Sequence, residues 1–186
     1  NGVTYAIPMV TEESSVVAAS CKAAKFWANK GGFKSEMINN LKAGQVHFYW
    51  EGKQQRILQL FESHKTALTE HVAPILSNMK KRGGGLRTLS LKNLTEKEPG
   101  LYQIFLELDT CDAMGANIIN TTLEAMADKW RSLVENAEDF SENEQQIQII
   151  MSIVSNFTPN CLVRTWVEAP VHKLAPPSGN ITGKEF

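Results

Sequence analysis

Leu101–Glu124, LYQIFLELDTCDAMGANIINTTLE, changes its period halfway along. In the first part Tyr102, Ile104, Leu106 and Leu108 fall on one side of an extended strand, with Gln103, Glu107 and Asp109 opposite and Phe105 breaking the alternation. That is the pattern of a half-buried strand. From Ile119 onward the spacing is helical, through Leu123, Met126, Trp130, Leu133 and Val134, so a long amphipathic helix follows. Between the two lies Asp112-Ala113-Met114-Gly115-Ala116-Asn117, a tight strand-to-helix junction. Small residues there let a ligand approach the main chain, and the unpaired N–H groups of a new helix can receive an anionic group such as a diphosphate. On spacing alone the plainer reading is favoured, a short connection with Asp112 as the helix cap.

Composition narrows the function classes. A chain of 186 residues can bury a sizeable core. With 19 Lys and Arg against 20 Asp and Glu there is no basic excess to drive binding to a phosphate backbone. Cys21, Cys111 and Cys161 are an odd number without a CxxC pair, which argues against a disulfide framework or a zinc ribbon and for a reduced, cytoplasmic setting. No apolar run reaches membrane-spanning length. The chain opens at Asn1 rather than Met and closes at Phe186, and it reads as an excised portion of a longer protein.

Outward from the junction, Glu12-Glu13-Ser14-Ser15 carries the carboxylates and hydroxyls that open helices. A stripe of Val16, Val17, Ser20, Cys21, Ala24 and Trp27 follows, closed by Gly31-Gly32. From the residues alone, Glu12 and Glu13 need no role beyond complementing a helix dipole. Phe33–Lys42 is polar and mixed and reads as a crossing into a second structural unit. Gln45–Trp50 is a strand, and its His47 has no second ligand at metal spacing. Phe61, His64, Leu68, Val72, Ile75 and Met79 follow helical spacing that Pro74 kinks or splits. His64 and His71 are seven apart, not the four that would place ligands side by side, and no metal site is expected.

Lys80-Lys81-Arg82 before Gly83-Gly84-Gly85 is a basic helix end and a glycine stop. Its sharper reading is a set of cations meeting a cofactor phosphate, such as the 2′-phosphate of NADP. Leu86–Leu91 is a short strand, Asn93–Gly100 a charged connection, and Asn136–Asn143 an acidic, solvated loop. Gln145–Val154 alternates, with Ile147, Ile149, Met151 and Ile153 on one face against Gln146, Gln148 and Ser152. It runs into Asn156, a turn former by type. Cys161–Ala169 is a further strand candidate. From about Lys42 to Asn156 the order is strand, helix, strand, strand, helix, strand, which predicts an α+β, ferredoxin-like βαββαβ sandwich with helices on one face of an antiparallel sheet.

Three strings carry a family resemblance. DAMGAN at Asp112–Asn117 resembles the cofactor-binding signature of 3-hydroxy-3-methylglutaryl-coenzyme A reductases, particularly the bacterial class II enzymes. PMVTEESSVVAAS at Pro8–Ser20 is similar to that family's catalytic-glutamate segment, and IVSN at Ile153–Asn156 to its ILSN segment. The three occur in the family's order.

The resemblance implies an NAD- or NADP-dependent oxidoreductase that interconverts hydroxymethylglutaryl-coenzyme A with mevalonate and coenzyme A by two hydride transfers, in either direction. It implies Glu13 as a proton donor near the thioester carbonyl, Ser15 and Asn156 as contacts to the hydroxymethylglutaryl group, and Asp112, Ala113, Met114, Gly115, Ala116 and Asn117 as the cofactor-binding turn. Thioester reduction generates an oxyanion and needs proton exchange, so burial and neighbours are expected to raise the pKa of Glu13 in the assembled site. Ser14 stands where proline is common in the family's EEPS form, a departure that bears on the rigidity of the first turn.

It further implies residues 1–41 as a flanking piece of a larger α/β substrate domain, 42–159 as an inserted ferredoxin-like NAD(P)-binding domain, and 160–186 as the return segment. The family's catalytic lysine and second aspartate have no matching motif here, and His172 does not match its catalytic histidine, so the chain alone is expected to be inactive. The intact protein is expected to be a homo-oligomer with its active site at a dimer boundary, acting on small molecules and binding neither membrane nor nucleic acid. The alternative is a non-catalytic ferredoxin-like module for a ligand or RNA, with Phe48, Tyr49, Tyr102 and Phe105 as stacking aromatics.

Overall fold

Alternation in Leu101–Asp109 produces a strand whose Tyr102, Ile104, Leu106 and Leu108 are all buried. The computed structural model describes residues 5–10, 12–175 and 182–184. Its elements are α1 (Ser14–Ala28), β1 (Lys34–Trp50), α2 (Gln54–Val72), α3 (Ser77–Lys81), β2 (Gly85–Asn93), β3 (Leu101–Asp109), α4 (Ala116–Glu135), β4 (Ile147–Val154) and β5 (Cys161–Trp166). The chain divides into two compact units, Asn1–Met37 with Val163–Phe186, and Ile38–Leu162. Of the expected return segment, residues 176–181, 185 and 186 lie outside the described residues. No helix among the described residues is long and apolar enough to cross a membrane.

The Ile38–Leu162 unit is a mixed α/β structure on an antiparallel sheet of order β2-β3-β1-β4, with β5 also pairing with β1. Alternate residues Val46, Phe48 and Trp50 of β1 join the buried side of β3, Ile57, Phe61, Leu68 and Val72 of α2, and Ile119, Leu123, Met126, Trp130 and Val134 of α4 in one core. At Gly44 the sheet and α4 approach closely: a Cβ there would lie 2.7 Å from Ile119 Cγ2 and 2.8 Å from Leu123 Cδ1. A side chain at this position would push Ile119 or Leu123 aside. In the core centre, Trp130 packs edge-on to Phe61 at 5.7 Å and tilted to Phe48 at 6.0 Å. Its indole Nε1 is buried without a hydrogen-bond partner among the described residues. Pro74 splits the expected helix into α2 and α3, and Leu76 rather than Ile75 is the buried residue between them.

Several expectations are corrected. The two units do meet within Phe33–Lys42, between Met37 and Ile38, but the crossing is made by strand, because β1 already begins at Lys34. The first six residues of that strand are exposed, so the burial alternation that reveals a strand is missing while the backbone pairing is intact. In β4, Met151 and Ile153 do not share the face of Ile147 and Ile149. The register with β1 shifts between His47 and Phe48, whose partners are Met151 and Ile149. Ile150 is therefore an extra residue, and beyond this bulge Ser152 and Val154 turn inward while Met151 and Ile153 are exposed.

The acidic side chains of Asn136–Asn143 are solvated as expected, but the loop closes on Glu144, which is buried and pairs with Arg56 at 3.3 Å. The carbonyl of Glu144 accepts the Trp50 indole N–H at 2.6 Å.

In the other unit, α1 forms where expected, yet none of its residues is buried, so the Val16–Trp27 stripe is not a core face within that unit. Gly31 and Gly32, with φ of 112° and 72°, end it through a bond from Gly32 N to Trp27 O.

Candidate functional site

Strands β3 and β4 flank β1 and both finish at its same end, Asp109 opposite Leu41 and Val154 opposite Gly44. The Asp112–Asn117 turn and Asn156 therefore leave the sheet at one end. A side chain ties the helix that follows the turn to the end of β4: Asn120, in the second turn of α4, accepts the Val154 N–H at 2.8 Å. Asn156 itself is exposed, at a bend where Ser155 N donates to Ala43 O at 2.8 Å and Ser155 Oγ bonds the carbonyl and N–H of Phe157.

The turn is built in three steps. Cys111 adopts a left-handed φ of 53°. Thr110, fully buried, then closes the bend, its hydroxyl donating to Ala113 O at 2.7 Å while its carbonyl accepts Ala113 N–H at 3.1 Å. Gly115 occupies the helix N-cap with φ 88°, and a Cβ there would meet Thr110 Cγ2 at 2.5 Å. Glycine is required on both counts. Asp112 is not the cap, contrary to the plainer sequence reading, since it lies three residues before it and is exposed.

Ala113, Met114 and Asn117 are exposed, Met114 at 76%, and Ala116 is partly so. The first helical bond of α4 runs from Ile119 N to Gly115 O, and no side chain caps the end. The first-turn N–H groups are thus left open to an acceptor from outside.

Charge around the turn is arranged. Arg87 donates to Asp109 Oδ2 at 3.0 Å and to Gly83 O at 2.6 Å, and Asp109 Oδ1 accepts the Cys111 N–H at 3.0 Å. The Cys111 N–H first, then Arg87, hold the Asp109 carboxyl below its usual range. A depressed folded pKa adds stability above the unfolded value and loses it as pH falls through the folded one. Melting curves taken from neutral pH to below the usual carboxylate range should therefore show a steeper acid limb for the parent than for Asp109→Asn; superimposable limbs would contradict this.

The Lys80–Arg82 helix end lies beside the same turn. The Cys111 thiol donates to Arg82 O at 3.5 Å, and a Cβ on Gly84 would lie 2.4 Å from Asp109 O. Lys80, Gly83, Gly84, Gly85 and Arg87 line part of a cavity of about 290 Å³. A larger one of about 740 Å³, between Arg56, His64, Asn136 and Phe140, contains none of the expected site residues.

Glu13 and Ser15 belong to the other unit. Glu13 is the N-cap residue of α1, extended at φ −136° and ψ 124°, and its carboxylate accepts the Ser15 hydroxyl. Both are exposed, so the burial expected for the Glu13 carboxyl is not provided by its own unit.

Residues that sequence reasoning passed over include Asn40, whose amide donates to Cys111 O at 2.6 Å, and Thr110 and Asn120. Of the proposed stacking aromatics, Phe48 and Tyr102 are core residues stacked on each other at 5.8 Å and are closed to a base. Tyr49 and Phe105 lie on the sheet face opposite α2 and α4, where Lys92 sits 3.5 Å over the Phe105 ring. His47, on that face, is bonded to Gln103 at 2.7 Å, and burial lowers its pKa. Among the described residues no cluster of three His, Cys, Asp or Glu is placed to hold a metal ion.

Known proteins are similar to this chain in sequence and in fold. The family model of hydroxymethylglutaryl-coenzyme A reductase matches residues 1–185. The chain is 39% identical over 128 residues to a probable 3-hydroxy-3-methylglutaryl-coenzyme A reductase of Borreliella burgdorferi, covering 69% of this chain and 28% of that protein. With the 3-hydroxy-3-methylglutaryl-coenzyme A reductase of Archaeoglobus fulgidus it is 32% identical over 132 residues, 68% of this chain and 29% of the relative. Among solved structures, the class II reductase of Streptococcus pneumoniae bound to NADPH in open conformations matches with a TM-score of 0.79 and 32% identity, over 100% of this chain and 46% of that one. The chain spans less than half the length of each of these relatives. It belongs to the hydroxymethylglutaryl-coenzyme A reductase family.

Proposed function

We propose that this chain forms the cofactor-binding part of a class II reductase that interconverts hydroxymethylglutaryl-coenzyme A with mevalonate and coenzyme A. The observation that carries the reading is the open turn: exposed Ala113 and Met114, a positive-φ Gly115 and an uncapped α4 N-terminus. Such main chain fits the diphosphate of NADH or NADPH, because free N–H groups and a helix dipole both favour an anion.

The sheet order β2-β3-β1-β4, with α2 and α4 contributing to one core, supports a ferredoxin-like cofactor domain of about residues 42–159, inserted between pieces 1–41 and 160–186 of a larger substrate domain. In this reading Asp112 and Asn117 orient the turn or bond the cofactor, and Asn156, at the same end of the sheet, meets the hydroxymethylglutaryl group. Glu13 exchanges the proton at the thioester oxygen and Ser15 contacts the acyl group. When bound, the reduced nicotinamide supplies the hydride.

Glu13 is the one catalytic side chain of the family's set assigned here, so this stretch by itself gives no turnover. The intact protein works as a cytoplasmic homo-oligomer with its site at a dimer boundary. The family match favours this over the rival RNA-binding module, and so does the burial of Phe48 and Tyr102.

Melting the full-length protein with each cofactor tests the reading. A ligand at 100 times its Kd adds about 2.7 kcal/mol to the folded state. NADH or NADPH should raise the midpoint in proportion to the logarithm of its concentration, and the larger shift identifies the preferred cofactor. No shift with either would overturn the assignment.

A further inference from the structure

We infer that Asn40 is the positioning residue of the cofactor turn. Cys111 is the one non-glycine among the described residues with a positive φ, 53°. An L-residue does not hold that conformation by its own preference, so neighbouring groups must impose it. Three do. The Asn40 amide Nδ2 donates to the Cys111 carbonyl at 2.6 Å, Asp109 Oδ1 accepts the Cys111 N–H at 3.0 Å, and Arg82 O accepts the thiol at 3.5 Å.

The bond from Asn40 is the shortest of the three, and it crosses from β1 to the peptide that leads directly into Asp112. The other two come from the turn's own strand and from the glycine loop beside it. Asn40 is itself held in place. Its Oδ1 lies 3.8 Å from the Cys161 thiol, which donates to it, and the next residue, Leu41, donates its N–H to Asn160 O at 3.0 Å. Without the amide donor, the Cys111 carbonyl loses its partner, and the two remaining bonds hold only the N–H and the thiol in the left-handed conformation. The direction in which Asp112–Gly115 leaves β3 then changes, and the open N–H groups of α4 lose their relation to the turn. Asn40 touches neither cofactor nor substrate in this scheme. It acts through the Cys111 peptide.

This inference rests on the cofactor reading above, and the test separates the two. In the full-length protein, Asn40→Asp keeps the shape of the side chain but replaces the donor with an acceptor. Titration should show the Kd of the preferred nicotinamide cofactor weakened about tenfold, with the Kd of hydroxymethylglutaryl-coenzyme A changed less than about twofold. Glycine at position 111 holds a positive φ without help. In a Cys111→Gly background the same Asn40→Asp change should therefore move the cofactor Kd by less than about twofold.

Unchanged cofactor affinity in Asn40→Asp overturns the inference, as does equal weakening of both ligands, or an undiminished effect of Asn40→Asp in the Cys111→Gly background. If Asn40→Asp does not fold, the comparison of Cys111→Gly with the double variant decides. A parent protein that binds neither NADH nor NADPH would instead remove the cofactor reading itself.

Discussion

Glu13→Gln in the full-length protein is expected to lower turnover of hydroxymethylglutaryl-coenzyme A by about 10²- to 10⁴-fold, the usual contribution of a positioned proton donor. Glutamine preserves the length and polarity of the side chain and can still accept the Ser15 hydroxyl, so the start of α1 is undisturbed. What it lacks is a proton that can be given up and recovered. Glu13 is exposed at an N-cap and belongs to no core, so the change should cost little folding stability and leave the cofactor Kd, which on the proposed reading depends on the other unit, where it was. A drop in rate with intact cofactor affinity and melting midpoint is the expected signature. A loss of cofactor affinity without a loss of rate at saturation would show that Glu13 holds a ligand and transfers no proton.

Trp130→Ala should destabilise the Ile38–Leu162 unit by about 3–5 kcal/mol, the range for deleting a large buried aromatic. For a folded body of this size that lowers the melting midpoint by roughly 6–20 °C. Trp130 is fully buried between Phe48 of β1 and Phe61 of α2, so its loss leaves a void where sheet and helices meet. Trp130→Phe distinguishes volume from polarity. Phenylalanine keeps most of the ring contacts and removes a buried N–H that has no acceptor, which offsets part of the lost packing. It should cost well under half as much as alanine. Equal losses in the two variants would mean that the indole nitrogen, not the packed surface, matters at this position.

What the sequence disclosed follows the strength of its periodic signals. Leu101–Asp109 and Ile119–Val134 bury one continuous side, and both elements form as read. The same logic failed in β4 because a single bulge residue, Ile150, reverses the phase, and four isoleucines and a methionine in the stretch read equally well with or without it. Across Phe33–Lys42 the crossing between units was legible but the strand was not, because an exposed strand has no apolar alternation to display.

The turn at Asp112–Asn117 was legible as a string, and the need for Gly115 follows from its closeness to Thr110. Asn40 was not legible. Its partner is the Cys111 carbonyl, 71 positions away, and nothing in the local composition of a polar segment distinguishes an asparagine that braces a turn from one that faces water. Asn120 was hidden in the same way, a polar residue within an amphipathic helix whose amide oxygen serves a different strand.

The two largest buried side chains also differ in what their indole nitrogens meet. Trp50 donates to a carbonyl, whereas the Trp130 nitrogen has no hydrogen-bond partner among the described residues and its ring packs on Phe48 and Phe61. An indole in such dry surroundings emits toward shorter wavelengths than one that is bonded or wet. The chain thus carries its own optical gauge: as the sheet parts from α4 and water reaches position 130, the blue edge of the tryptophan spectrum fades first, reporting the opening of the core without any added label.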